Sequence, residues 1–229
     1  MKEAIILAGG FGTRLREIVP DLPKPMAPIA GQPFLEVLLR LLARKGFTRI
    51  ILSLGFMADV ISDYFGNKFS GAELIYVVED KPLGTGGAIR MSMERCRADH
   101  LFVFNGDTYL DLEVAAVEQL WFDKHCPIIV GREVADASRY GCLLTENGKI
   151  TGFAEKSNSG RGLINAGCYL LSKDQLADFQ VNSPFSFETD YLAAAVKTIS
   201  FNLFVSSGDF IDIGIPEDYA RAQIELVGK

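Results

Sequence analysis

The chain has 229 residues, a length that favours a single domain, and 48% hydrophobic with 23% charged residues is typical of a globular protein. Its formal net charge of -6 and pI of about 5.0 argue against a nucleic-acid partner, because binding a phosphate backbone needs a clustered surplus of Lys and Arg. The apolar run from Ala4 to Ala8 follows acidic Glu3 and precedes glycines, so we expect no signal peptide, no membrane span and a cytoplasmic location.

Short apolar runs alternate with helical patterns in the first half of the chain. The predicted strands are Ala4–Leu7, Ile50–Leu54, Leu74–Val78 and Leu101–Phe104, and helical periodicity follows at Phe34–Ala43 and Leu112–Phe122. This alternation predicts an α/β fold with a Rossmann-like, mostly parallel sheet flanked by helices. Ligands of such sheets bind where the strands end, so the loops at the carboxyl edge are the predicted site.

The pattern changes from Arg132 onward. Two predicted strands, Cys142–Thr145 and Ile150–Ala154, are joined by a segment containing Asn147-Gly148, which is a hairpin signal. Further strands are predicted at Phe201–Val205 and Phe210–Ile213, and Pro216 opens a terminal helix through Leu226. We therefore predict a small antiparallel element after the parallel sheet.

A glycine-rich loop follows the first predicted strand and reads Leu7-Ala8-Gly9-Gly10-Phe11-Gly12-Thr13-Arg14. Its glycines let backbone amides approach an anion closely, although the spacing matches neither a Walker A loop nor a dinucleotide fingerprint. Arg14 and Lys24 add two cations, and Pro23 and Pro25 restrict the backbone on both sides of Lys24. The pattern favours phosphoryl chemistry over the alternative, a strand-to-helix turn with solvated cations.

This loop and the segment Pro23-Lys24-Pro25-Met26 resemble the sugar-phosphate nucleotidyltransferase family, whose motif runs Leu-Ala-(Ala/Gly)-Gly-x-Gly-Thr-Arg-Leu and then Pro-Lys-Pro-(Leu/Met). The resemblance implies the nucleotidyltransferase fold in one domain, with residues 1–131 mainly the nucleotide-binding half and residues 132–229 mainly the sugar-binding half. It also implies that Arg14 binds the departing pyrophosphate and Lys24 the reacting α-phosphate. The implied triphosphate-binding residues are Gly9, Gly10, Gly12 and Thr13, and Leu7 and Ala8 would also bind the nucleotide. Glu17-Ile18-Val19 departs from the Pro and Thr that many members carry there.

The segment from Glu79 to Ala88 is similar to the family's base-recognition segment, in which Pro82, Gly84 and Thr85 would also bind nucleotide. A carboxylate at Glu79 can accept from both N1–H and the N2 amino group of guanine. Uracil offers one donor at that edge, and adenine and cytosine would put a lone pair against the anion. Glu79 therefore favours GTP, the alternative being a solvated glutamate at a strand end.

Asp107 follows the last predicted parallel strand in Phe104-Asn105-Gly106-Asp107 and is the first candidate metal ligand. Mg²⁺ takes one or two carboxylates together with phosphate oxygens and waters. The resemblance places Asp212 at the family's second metal position. A single Asp after a strand is more often a turn or cap residue, but the two motifs together favour a magnesium site.

Two further segments, Phe153-Ala154-Glu155-Lys156 and Ile164-Asn165-Ala166-Gly167, resemble those that hold the sugar phosphate in the family. Lys156 suits the phosphate, Glu155 and Asn165 suit hydroxyls, and Gly167 allows close approach. The resemblance adds Asn105, Gly141 and Glu188 to the sugar side. For Glu188 an exposed polar residue at a strand end is an equal alternative.

The length and Glu79 make the chain most similar, within the family, to the D-glycero-α-D-manno-heptose 1-phosphate guanylyltransferases. The expected partners are GTP and a sugar 1-phosphate. A guanylyl- or uridylyltransferase acting on mannose, glucose or N-acetylmuramate phosphate stays an alternative, as does a non-catalytic subunit that senses nucleotide sugars. Homo-oligomer formation is left open by the sequence.

Overall fold

The computed structural model describes residues 1–10, 19–154 and 160–229. Its strands are β1 (Glu3–Leu7), β2 (Pro28–Ile29), β3 (Gln32–Pro33), β4 (Arg49–Leu54), β5 (Lys68–Phe69), β6 (Ala72–Val78), β7 (His100–Asn105), β8 (Thr108–Leu110), β9 (Ile128–Val134), β10 (Cys142–Glu146), β11 (Lys149–Ala154), β12 (Gly162–Ser172), β13 (Phe201–Ser206) and β14 (Phe210–Asp212). The α-helices are α1 (Phe34–Arg44), α2 (Ala58–Phe65), α3 (Gly84–Met93), α4 (Val114–Lys124), α5 (Ala193–Ala195) and α6 (Pro216–Glu225). A 3₁₀ turn covers Lys24–Met26 and a π-helical segment covers Phe187–Leu192.

One ten-stranded sheet runs through the chain in the order β10-β11-β13-β9-β12-β7-β1-β4-β6-β5. Its centre, β7-β1-β4-β6, is parallel, and β1 and β4 are almost wholly buried because helices cover both faces. The carboxyl ends of these four strands meet at one edge of the sheet.

Different helices cover the two faces of the sheet. Alternate residues of β1 point to opposite sides, so Ile6 packs with α1, α2 and α4, whereas Ile5 packs with α3 and the segment after Phe187. A third cluster joins α1 to α6 and to the hairpin β2–β3. In the part of the chain that the structure describes, no helix is long and apolar enough to cross a membrane.

The predicted α/β class with flanking helices is confirmed, but the sheet is mixed to a greater extent than expected. Strand β12, missed by the sequence prediction, runs antiparallel between β7 and β9. The predicted antiparallel hairpin is present as β10 and β11, yet it extends the same sheet through β13 instead of forming a separate layer. Buried β12 carries apolar residues on both faces, so its sequence shows no alternation that would indicate its direction.

Candidate active site

A cavity of about 560 Å³ opens at the carboxyl edge of the four parallel strands. Ligand sites of open α/β sheets form at this edge because loops from neighbouring strands diverge there. The predicted site residues that line the cavity are Leu7, Ala8, Gly9, Gly10, Lys24, Glu79, Pro82, Gly84, Thr85, Asn105 and Asp107. The fold thus brings residues of four separate sequence motifs to one wall.

Lys24 lies in the 3₁₀ turn, after Pro23 with φ near -65°, and its side chain is largely buried. The Lys24 ammonium donates a hydrogen bond of 2.6 Å to Asp107 Oδ2. This ion pair holds a cation and a carboxylate together on the cavity wall. The ammonium of Lys24 is thereby fixed in position and can stabilise the negative charge of a bound phosphate.

Asp212 lies beside Asp107 through the two-stranded ladder of β8 and β14, in which it is opposite Thr108. The backbone N–H of Ile213 also donates to the Asp107 carbonyl at 2.9 Å. Burial raises the pKa of Asp212, and the negative charge of Asp107 raises it further. Two hard oxygen ligands with excess negative charge fit a divalent cation such as Mg²⁺.

No group of three or more His, Cys, Asp or Glu side chains that could hold a metal ion occurs within residues 1–10, 19–154 and 160–229. A Mg²⁺ ion usually takes one or two carboxylates and completes its coordination with substrate oxygens and waters, so two carboxylates match its needs.

Glu79 forms another part of the cavity wall. The Leu83 N–H donates to Glu79 Oε2 at 2.8 Å, which fixes the carboxylate at the start of α3. Burial raises the pKa of Glu79, and the opposing effects of the Leu83 N–H and the Ser53 hydroxyl are smaller. A Cβ atom at Gly9 would come within 3.2 Å of Glu79 Oε1, so the glycine leaves the carboxylate room at the loop.

The residues predicted for the sugar gather next to Asn105. Strand β12 has a bulge between Asn165 and Cys168, and Gly167 adopts a φ of +67° there. A side chain at Gly167 would clash with the Asn105 amide, so only glycine fits at this contact. The Asn165 N–H donates to the Gly141 carbonyl at 3.1 Å, which brings Gly141 to the same region. Of these predicted sugar residues, Asn105 lines the cavity, whereas Gly141, Asn165 and Gly167 do not.

Thr85 connects the predicted nucleotide and sugar segments. Its hydroxyl donates to Glu188 Oε2 at 2.7 Å and accepts from the Phe187 N–H at 2.8 Å. Thr85 also lines the cavity, so nucleotide binding by this residue stays a prediction, while its hydroxyl is hydrogen-bonded to Glu188. Glu188 is thus partly buried and hydrogen-bonded, unlike the exposed strand-end residue of the alternative interpretation.

Five predicted site residues, Gly12, Thr13, Arg14, Glu155 and Lys156, lie outside the described residues. The cavity also has lining residues that the prediction did not assign, including Ser53, Gly55, Phe56 and Lys81. Ser53 could have been found, because it is a polar residue near the carboxyl end of an apolar parallel strand. Phe56 belongs to a loop with no distinguishing pattern.

A family model described as Nucleotidyl transferase matches residues 3–227. A D-glycero-alpha-D-manno-heptose 1-phosphate guanylyltransferase of Aneurinibacillus thermoaerophilus is 38% identical, over 98% of this chain and 98% of that protein. An enzyme of the same name from Campylobacter jejuni is 40% identical, over 95% of this chain and 96% of its own length.

The crystal structure of HddC from Yersinia pseudotuberculosis superimposes with a TM-score of 0.88 at 41% sequence identity. The match covers 97% of this chain and 98% of HddC. A second structure of HddC, in complex with GMP-PN, matches equally well. The likeness to these proteins therefore extends over nearly the whole of both chains.

Proposed function

The chain belongs to the nucleotidyl transferase family, and from that premise we propose that it joins GTP to D-glycero-α-D-manno-heptose 1-phosphate. The products are GDP-heptose and pyrophosphate, for use in surface polysaccharide synthesis. One observation carries the proposal: Glu79, Lys24 and Asp107 line a single cavity. The proposed base acceptor and the proposed phosphate-binding cation could therefore contact the same nucleotide, and 38–40% identity to the two named guanylyltransferases supports the choice of substrates.

The proposed reaction is a single in-line displacement. An oxygen of the sugar phosphate attacks the α-phosphorus of GTP, one P–O bond forms, and the bond from the α-phosphorus to the bridging oxygen breaks. The electron pair of that bond leaves with pyrophosphate. The attacking phosphate is already anionic at neutral pH, so alignment and charge screening suffice without a general base.

Lys24 supplies fixed positive charge next to the reacting α-phosphate. Its buried position and its ion pair with Asp107 keep the ammonium in place before substrate binds, so little reorganisation is needed during the reaction. Arg14 is proposed to hold the departing pyrophosphate. Gly9 and Gly10 let backbone amides approach the triphosphate.

Asp107 and Asp212 are the proposed holders of Mg²⁺. When bound, the ion would screen the charge of the triphosphate and orient its oxygens. Both carboxylates lie near Lys24, since the positive charge of Lys24 acts on Asp212 and its ammonium contacts Asp107.

Guanine is proposed to bind at Glu79, whose two carboxylate oxygens can accept hydrogen bonds from guanine N1–H and N2–H. Glu79 Oε2 has enough lone pairs to accept from guanine and from the Leu83 N–H at the same time. Asn165, Glu188, Glu155 and Lys156 are the proposed contacts of the sugar phosphate.

All four cysteines are free, which suits the cytoplasmic location proposed for the enzyme.

A substrate matrix tests the proposal. Pyrophosphate release is measured with Mg²⁺ for GTP, UTP, CTP, ATP and dTTP, each against heptose, mannose and glucose 1-phosphates. We expect release with GTP and the heptose only. Activity with UTP would contradict the role of Glu79, activity with mannose 1-phosphate would contradict the sugar assignment, and no release with any pair would favour a nucleotide-sugar sensor.

A further inference from the structure

Tyr169 is a buried tyrosine of β12 that no motif singled out. Its side chain is 1% exposed and packs edge-to-face on Phe187, with ring centroids 4.9 Å apart. A phenol buried among apolar groups needs hydrogen-bond partners, because an unpaired hydroxyl loses its hydration without compensation. The partners that Tyr169 has are therefore informative.

The Tyr169 hydroxyl joins two residues predicted to bind the sugar. Asn165 Nδ2 donates to Tyr169 Oη at 2.8 Å, and Tyr169 Oη donates in turn to Glu188 Oε1 at 3.5 Å. Burial, and then the charge of Glu188, raise the pKa of Tyr169 well above its usual range. The phenol therefore keeps its proton at neutral pH and remains a donor to Glu188.

The same two residues are held from other sides. Gly167 N–H donates to Asn165 Oδ1 at 3.1 Å, so the Asn165 amide is fixed at its oxygen as well as at its nitrogen. Thr85 Oγ1 donates to the second oxygen of Glu188. Ser186 Oγ also donates to that oxygen, at 3.3 Å, whereas Glu188 Oε1 accepts only from Tyr169 among the described residues. Glu188 Oε1 and the second N–H of the Asn165 amide therefore retain hydrogen-bonding capacity for a ligand.

This network lies against the cavity. Thr85 lines the cavity and bonds Glu188, while Asn105 lines it and contacts Gly167 at the bulge. Asn165 and Glu188 adjoin the cavity through these partners without lining it, and Tyr169 does not line it either. Any effect that it has on a ligand must therefore pass through the residues that it holds.

We infer that Tyr169 is a positioning residue for the sugar phosphate, acting through Asn165 and Glu188. The inference rests on the proposed function, since that function places the sugar at these two side chains. Loss of the hydroxyl would leave the Asn165 amide held at its oxygen alone and remove one of the donors that orient Glu188. The nucleotide end of the cavity, at Glu79, would be unaffected.

The test compares Tyr169→Phe with Tyr191→Phe. Tyr191 is a matched control, because it belongs to the same aromatic cluster, stacks on Phe187 and is also buried. Its hydroxyl accepts from Gln175 Nε2 at 2.6 Å, away from the network. Both substitutions remove one phenolic oxygen and keep the ring.

For Tyr169→Phe we expect KM for the sugar 1-phosphate to rise by about tenfold or more, with KM for GTP within about twofold of the wild type. Tyr191→Phe should leave both KM values unchanged. A KM for the sugar phosphate that stays within about twofold of the wild type in Tyr169→Phe overturns the inference, as does an equal rise in both KM values.

A double-mutant cycle with Glu188→Gln provides a second measurement. If Tyr169 acts through Glu188, the two substitutions together should raise KM for the sugar phosphate by less than the product of their separate effects. A rise in KM of the double variant equal to the product of the two separate rises would contradict the inference. The sugar used is the one that the wild type prefers in the substrate matrix, so a preference for mannose would reject the proposed heptose and still test Tyr169.

Discussion

Lys24 Nζ lies 2.6 Å from Asp107 Oδ2, although the two residues are 83 positions apart in the sequence. The contact brings the proline-flanked turn after the glycine loop to the end of β7. It also joins the cation proposed for the α-phosphate to a proposed ligand of Mg²⁺. The charges of the two groups therefore act on the same small volume of the cavity.

Replacing Lys24 with alanine should lower turnover much more than GTP binding. One fixed donor to a charged transition state contributes about 10²- to 10³-fold to the rate, whereas GTP keeps its base and triphosphate contacts. Turnover is measured by pyrophosphate release, and GTP affinity by calorimetry without sugar phosphate. Lys45→Ala is the control, because Lys45 pairs with Asp111 at 2.5 Å and does not line the cavity. Equal losses of turnover and affinity in Lys24→Ala would rule out a transition-state role.

Asp212→Asn should raise the Mg²⁺ concentration needed for half-maximal activity by at least about tenfold, because a carboxylate ligand is exchanged for a neutral amide. A chelator should abolish pyrophosphate release by the wild type, and added Mg²⁺ should restore it. Asp209→Asn is the control, since Asp209 forms an exposed ion pair with Lys229. An unchanged metal requirement in Asp212→Asn would remove this residue from the proposed site.

Glu79→Gln should reduce the preference for GTP over UTP by about tenfold or more, because the amide has one acceptor oxygen in place of two. The ionised carboxylate is the form that accepts from guanine. Burial raises the pKa of Glu79, so GTP binding by the wild type should weaken as the pH falls below neutrality, at a higher pH than for an ordinary glutamate.

The measurement is KM for GTP and for UTP across this pH range in both proteins. Titration of the triphosphate is common to the wild type and the variant, so the difference between them isolates Glu79. A variant whose KM for GTP follows the same pH curve as the wild type would contradict this assignment.

Arg49→Ala should destabilise the fold without changing the cavity. Arg49 Nη1 pairs with Glu3 at 2.9 Å, and the two side chains are 5% and 0% exposed. Removing one partner of a buried pair costs about 3 to 5 kcal/mol of unfolding free energy, because the other charge stays buried. Both residues begin strands whose carboxyl ends form the cavity, so they lie at the opposite edge of the sheet.

Urea denaturation gives the free energy of unfolding for Arg49→Ala and for the control Glu73→Ala. Glu73 also pairs with Arg49, at 3.0 Å, but its side chain is 43% exposed, so its loss should cost less than about 1 kcal/mol. Equal destabilisation by the two substitutions would show that burial of Glu3 is not the determining factor.

The parallel strands and the loops after them could be predicted because their signals are local. Apolar runs such as Ala4–Leu7 and Ile50–Leu54 are short and bounded, and parallel strands of this kind direct their following loops to one edge. That edge is where Gly9, Glu79 and Asp107 meet. The side-chain chemistry, together with the resemblance to the family motifs, predicts that these residues bind phosphate, guanine and metal, and these roles stay predictions.

By itself, the sequence determined the α/β class, the glycine loop and the polar residues at the strand ends, since spacing and side-chain chemistry are properties of short segments. Only the tertiary structure decided that β12 lies antiparallel between β7 and β9 and that Thr85 bonds Glu188, 103 positions away. Strand direction and long-range hydrogen bonds depend on which segments pack together. An apolar strand such as β12 is compatible with either direction, and its buried Tyr169 acquires a role only from the partners that folding brings to it.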